Sequence, residues 1–309
     1  MGTLLAAPGD ERDRRGYRHT LREIAQQPVT WTETAAGIAN KAGVLRTALT
    51  HATGDGAAGA ILLTGSGSSL YVGECLSPAL QRALGVPTQA VSGGALLTDP
   101  AGCVPSKVNT RCLVVSFARS GNSPESCGAV DSVREAAPAC RHLVITCNRQ
   151  GRLATSYRDD PRVATIVLDD KTCDRSLVMT SSFTNMVLAG RFLAMVDDAA
   201  GFQRRAASLG STGAEILLQH ADALAAAARR EFDSAVYLGS GSRYGSAREA
   251  ALKMLEMTGG GVKTLAETYL GLRHGPMSAI DDGALVVAFL SSDATTRAYE
   301  VDLLRELNR

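Results

Sequence analysis

The chain has 309 residues, 45% of them hydrophobic and 20% charged, and its 32 Lys and Arg nearly match its 31 Asp and Glu. That length accommodates about two domains, each able to bury a core. A balance this close to neutral sets up no global field for nucleic acid or an acidic membrane, so neither is an expected partner and any anion site has to be local.

The first twenty residues carry several charges and no apolar core, which does not support a secretory signal, and they read as a polar, frayed segment. Position 6 is Ala, which breaks the myristoylation pattern that Gly2 would begin. From Thr20 to Thr50 the pattern is helical, interrupted at Gln27-Pro28, with Thr32-Glu33-Thr34 placed to cap a restart. Trp31, the one tryptophan, reads as a core or interface anchor. Strand candidates follow at Gly59–Leu63, Thr88–Val91, Cys112–Ser116, His142–Thr146 and Val163–Leu168, with helical stretches near Ser69–Leu84, Ser123–Ala136 and Ser181–Val196. Continuous apolar strands alternating with helices predict an α/β fold with a doubly wound parallel sheet, whose ligands sit at the carboxyl ends of the strands. A helical linker from Gly210 to Glu231 leads to a second α/β segment beginning at Ala235. No apolar run reaches the roughly 20 residues that span a bilayer. The seven cysteines, Cys75, Cys103, Cys112, Cys127, Cys140, Cys147 and Cys173, show no C-x-x-C spacing and read as reduced, mostly buried thiols of a cytoplasmic protein.

The chain repeats itself. Ile61-Leu-Leu-Thr-Gly-Ser-Gly-Ser68 has a counterpart 174 residues on, in Ala235-Val-Tyr-Leu-Gly-Ser-Gly-Ser242, and Val114-Val-Ser-Phe117 has one 172 residues on, in Val286-Val-Ala-Phe289. Two matches at nearly one spacing indicate a duplicated unit. The expected organisation is a helical segment over 1–50, a first domain over 51–205 and a second over 206–309. Counterparts of the strands at 142–146 and 163–168 would fall beyond Arg309, so the second domain is expected to be incomplete.

In each copy an apolar run ends in Gly-Ser-Gly-Ser and a helical pattern opens at once, the outline of a strand, a tight turn and a helix N-terminus able to receive a phosphate. The first copy lacks the third glycine of a dinucleotide fingerprint, and no G-K-[ST] follows, so no nucleotide cofactor is expected. In Phe117-Ala-Arg-Ser-Gly-Asn-Ser-Pro-Glu-Ser126, Ser120, Asn122 and Ser123 aim donors at one spot, Arg119 adds a forked cation, and Pro124 opens the next helix. Glu249, Lys253 and Glu256 stand at i, i+4 and i+7 on one helix face, which taken alone reads as a solvated ion-paired stripe. His274 lies in the following Arg273-His-Gly-Pro276 loop. No cluster has metal-ligand spacing.

Taken together, Ser116–Ser126, Asp174-Arg-Ser-Leu-Val-Met-Thr-Ser-Ser182, Tyr237-Leu-Gly-Ser-Gly241 and Ala247-Arg-Glu-Ala-Ala-Leu-Lys253 resemble the sugar isomerase (SIS) domain family, and within it the galactosamine-6-phosphate deaminase/isomerase group, also called tagatose-6-phosphate ketose/aldose isomerase. The resemblance implies paired flavodoxin-like domains and a phosphorylated amino sugar as ligand. It places Gly67, Ser68 and Ser69 in the first sugar-phosphate turn and Ser120 and Ser123 in the phosphate loop, with Ala118 where many relatives carry serine. Val178 and Thr180 take sugar-contacting positions, Glu249 and Lys253 line the site, and Glu256 is the base that moves a proton between C1 and C2. His274 resembles a ring-opening histidine that the partner subunit donates, which implies a homodimer or higher homo-oligomer. Isomerisation without ammonia loss and phosphosugar binding without chemistry are the other readings. A glutamine-dependent synthase is disfavoured, since residue 2 is Gly rather than Cys.

Overall fold

The computed structural model describes residues 2–54, 59–105 and 111–308. The chain divides into two compact units, Met1–Leu224 and Ala225–Arg309.

The first unit begins with short helices at Gly2–Ala6 and Gly9–Arg14, neither of which buries a residue. Three longer helices follow, α1 (Arg18–Ala25), α2 (Gln27–Ala39) and α3 (Ala42–Thr53). The polar leader expected to be frayed is therefore helical. The expected cap at Thr32–Thr34 lies inside α2, because Pro28 already opens that helix in its first turn, where a missing N–H costs nothing. Trp31 is half-buried; its Nε1 donates to Thr184 Oγ1 at 2.9 Å, and its ring packs against Gly213, where an added Cβ would stand 2.5 Å from the ring.

All five expected strands of this unit form: β1 (Gly59–Gly65), β2 (Thr88–Ser92), β3 (Arg111–Ala118), β4 (Arg141–Thr146) and β5 (Val163–Val167). They make a parallel sheet in the order β2-β1-β3-β4-β5, crossed by α4 (Ser68–Leu84), α5 (Pro124–Ala136) and α6 (Ser181–Arg191). Strands β1 and β3 are buried along almost their whole length, because helices cover both faces. One core cluster joins α2, α3, α4 and α6 to one face through Leu45, Leu49, Leu63, Leu76 and Met186; smaller clusters around Val114 and Val144 fill the other. The helix expected over Ser181–Val196 tightens into a 3-10 turn at Phe192–Met195. The chain then continues as α7 (Ala199–Gln219), which packs on α2 where Gly210 lets the Pro28 carbonyl approach.

In the second unit β6 (Ser234–Gly239) leads into α8 (Ser242–Met257), β7 (Lys263–Glu267), β8 (Ala284–Phe289) and α9 (Ala294–Leu307). Among the described residues its sheet has the order β7-β6-β8, all parallel, which is the order β2-β1-β3 over again. The register agrees as well. Thr64 pairs with Ser116 in the first sheet, and Leu238 pairs with Ala288 in the second, 174 and 172 residues on. All seven cysteines are free, and five of them are buried. No helix among the described residues is long and apolar enough to cross a membrane.

Candidate active site

The first unit gathers its polar turns at the carboxyl ends of β1 and β3, which are neighbours. Gly65 ends β1 so close to the next helix that an added Cβ would lie 2.6 Å from the Ser69 carbonyl carbon, and only glycine fits. Gly67 follows at φ 55, ψ −128, a conformation that L side chains rarely adopt, and turns the chain into α4. Ser68 and Ser69 form the first turn of α4 and are buried. Gly93, just past β2, packs between Ser66 and the Glu125 carbonyl, so three strand ends converge. Beneath these turns the Thr64 and Ser116 hydroxyls, paired across the β1–β3 register, are buried without a hydrogen-bond partner. Each such orphan costs about 1–3 kcal/mol, so the pair marks where a polar group is wanted. Sequence reading missed both, because Thr64 and Ser116 look like ordinary strand residues until the register sets them side by side.

Beyond β3, Gly121 takes φ 64 and the loop reverses into α5. Ser123 caps that helix, its Oγ accepting from Ser126 N and donating to Ser126 Oγ at 2.7 Å. Asn122 uses its Oδ1 to accept from Arg152 N at 3.0 Å, while Asn148 Nδ2 donates to the Ser120 carbonyl at 2.8 Å. Arg119 was expected to offer its fork to an anion; its Nη1 donates to the carbonyls of Ser176 and Leu177, at 3.0 and 3.1 Å. Most of the donors gathered by sequence thus hold the loop in shape, and the exposed Ser120 hydroxyl stands at its tip, accepting from Asn122 N.

The 174–182 segment is fixed by two buried carboxylates. Asp174 accepts from the N–H groups of Thr180, Ser181 and Ser182 and from the hydroxyls of Thr180 and Ser182, which satisfies the start of α6. Glu23, 1% exposed on α1, accepts from Arg175 N, Ser176 N and Ser176 Oγ. Val178 is buried, and both the hydroxyl and the N–H of Thr180 are engaged by Asp174. The role of Glu23 was hidden from the sequence, since its partners lie some 150 residues away.

In the second unit Gly239 and Gly241 repeat the first turn. Gly241 stands at φ 57, ψ −125, and an added Cβ on Gly239 would meet the Arg243 carbonyl oxygen at 2.3 Å. The loops that follow the third strand differ. Ser123 caps α5, whereas Asp293 caps α9, its Oδ1 accepting from Thr296 N and Oγ1 at 2.8 and 2.9 Å; those bonds hold its carboxyl below the usual range. A fixed negative charge already occupies that helix start. On α8, Lys253 lies between two acids, 3.3 Å from Glu249 Oε1 and 2.6 Å from Glu256 Oε2. The ion pairing agrees with the expected stripe, but the stripe is not solvated: the Glu249 and Lys253 side chains are 7% and 20% exposed, with Glu256 the most open at 28%. The site that these three form is a cation flanked by a buried carboxylate and an accessible one. His274 is exposed past the short helix Tyr269–Leu272, its N–H bonded to the Gly271 carbonyl, and Arg273 ties the same loop to Glu306 and Asp302 on α9. Among the described residues, no three His, Cys, Asp or Glu side chains gather as metal ligands.

No family model matches the chain. Individual relatives do. The D-galactosamine-6-phosphate deaminase AgaS of Shewanella sp. (strain ANA-3) is 36% identical over 295 residues, covering 94% of this chain and 74% of that protein. A Streptomyces coelicolor relative carrying the same AgaS designation is 40% identical over 292 residues, with the same coverage. Among solved structures, the tagatose-6-phosphate ketose/aldose isomerase from Escherichia coli superposes with a TM-score of 0.84 at 34% identity, over 93% of this chain and 77% of that one. The chain belongs to the AgaS-type family of sugar isomerase domain proteins.

Proposed function

We propose that this chain is a cytoplasmic D-galactosamine-6-phosphate deaminase/isomerase, built as a helical segment over 1–50 and two tandem SIS domains over 51–205 and 206–309. The observation that carries the activity is its likeness to AgaS proteins over 94% of its length. The polar turns on β1 and β3 and the Glu249–Lys253–Glu256 group supply the chemistry such a reaction needs.

In this reading the phosphate is the task of the first unit. The N-terminal N–H groups of α4 and α5 and the Ser69 and Ser120 hydroxyls receive it, with Ser68 and Gly67 shaping the turn. Arg119, Asn122 and Ser123 act as positioning residues that hold the loop around Ser120. The proton belongs to the second unit. His274, donated by a partner copy in a homodimer or larger assembly, assists ring opening. Glu256 removes the C2 proton of the open-chain amino sugar, giving an enolamine. That proton returns to C1, leaving a ketose imine, and water adds to C2 and expels ammonia to yield tagatose 6-phosphate. Lys253 holds the Glu256 carboxylate in place, and Glu249 holds Lys253.

Glu256→Gln is expected to cut turnover at least about a hundredfold while phosphosugar binding persists; full activity in that variant would refute the role of Glu256. The isomerase designation of the Escherichia coli structure supports a second reading, aldose–ketose exchange without ammonia. An assay of ammonia released from galactosamine 6-phosphate separates the two.

A further inference from the structure

The opposite end of the first sheet carries a cleft that the proposed reaction does not use. It is about 810 Å³ in volume and lies between α3 and the starts of β3, β4 and β5, lined by Val44, Thr47 and His51 on the helix and by Arg111, Arg141 and Arg162 from the strand side. The residues for the proposed chemistry stand at the carboxyl ends of these strands, roughly 23 Å away along β3 at the usual rise of a strand.

The cleft is cationic by construction. Parallel pairing sets Leu113 opposite Arg141 and His142 opposite Val163, so the residues that precede each run, Arg111, Arg141 and Arg162, come to one edge of the sheet. Among the described residues, no Asp or Glu lines the cleft. Arg162 is neutralised by Asp160, 2.9 Å away, but Arg111 and Arg141 form no ion pair among the described residues. Both charges reach His51, whose pKa is lowered first by burial and then by Arg141, with Arg111 adding to it, and whose Nε2 is buried without a partner. Two like charges, both open to solvent, and a buried imidazole nitrogen thus face one cavity, and an anion there would neutralise the two guanidinium groups. The volume suits a small metabolite, and forked guanidinium donors match phosphate oxygens.

We propose that this cleft is a binding site for a small phosphate-bearing anion, distinct from the sugar-phosphate turns, in which Arg111 and Arg141 clamp the anion against α3. Inorganic pyrophosphate is the probe. Titration calorimetry of the full chain is expected to show binding that Arg111→Ala/Arg141→Ala weakens at least tenfold. Thr47→Glu, on the exposed face of α3 at the rim, should do the same while removing only the local bond from Thr47 Oγ1 to the Gly43 carbonyl. Hydrogen exchange locates the event: pyrophosphate should slow the amides of α3 and the start of β4, and the double variant should lose that protection. The proposal is overturned if pyrophosphate does not bind, if Thr47→Glu binds it as tightly as the parent, or if protection appears only at the 118–124 loop.

Discussion

His142 shows how one buried side chain couples this protein to pH. It is 1% exposed on β4, neither ring nitrogen has a partner, and its pKa is pushed down to about 4 by burial first and then by Arg134 and Arg162, with Asp160 and Asp131 acting weakly the other way. Because the folded value lies below the unfolded 6.5, the native state binds fewer protons than the unfolded chain between those limits. The stabilisation is whole above pH 6.5 and is lost as pH falls toward 4, by about 3 kcal/mol. Urea denaturation at pH 7 and pH 4.5 should show that drop, and His142→Leu should flatten it; an unchanged pH slope in the variant would place the sensitivity elsewhere. Glu249 makes the complementary point about reading side chains from spacing. Its interval to Lys253 announced the ion pair, but spacing alone gave no sign that the Glu249 side chain is only 7% exposed.

At the level of elements, the strands of the first unit were legible because both faces of the sheet are covered, so each strand is a continuous apolar run bounded by turn residues. The helix limits were less so. Phe192–Met195 keeps a helical pattern but tightens, and α2 opens at Gln27, with Pro28 in its first turn, rather than after the proline. The polar loops were legible in composition. Local sequence read Arg119, Asn122 and Ser123 as ligand groups; what it did not show is that each also bonds within the protein, to Ser176, Arg152 and Ser126. Burial also grades the two sheets. Every residue of β3 after the first is buried, while all six of β8 are only half-buried, and β8 has β6 as its one strand neighbour among the described residues. Opening of a strand costs less where fewer apolar contacts hold it. The amides of β7 and β8 are therefore expected to exchange with deuterium at least tenfold faster than those of β1 and β3; equal protection would show that the second sheet is as well held as the first.

On the scale of the whole chain, the matched spacing of the Gly-Ser-Gly-Ser and apolar segments rests on no single residue type. The segments so matched stand in the same strand order and the same register in the two sheets. The spacing did not anticipate how the copies part ways, with Ser123 at one helix start and Asp293 at the other. The glycine turns, by contrast, have hardly diverged: Gly67 and Gly241 differ by 2° in φ and 3° in ψ, and an added Cβ at either would meet nothing within 4 Å. Alanine placed at each is thus a matched experiment inside a single polypeptide. Both substitutions impose the same torsional penalty, about 1–3 kcal/mol, with no steric contribution to confuse it. Calorimetry and sugar-phosphate affinity measured on the pair should show similar losses of stability, with affinity falling for Gly67→Ala by more than for Gly241→Ala. A larger loss of affinity from the second turn would mean that the copies have exchanged the roles assigned to them.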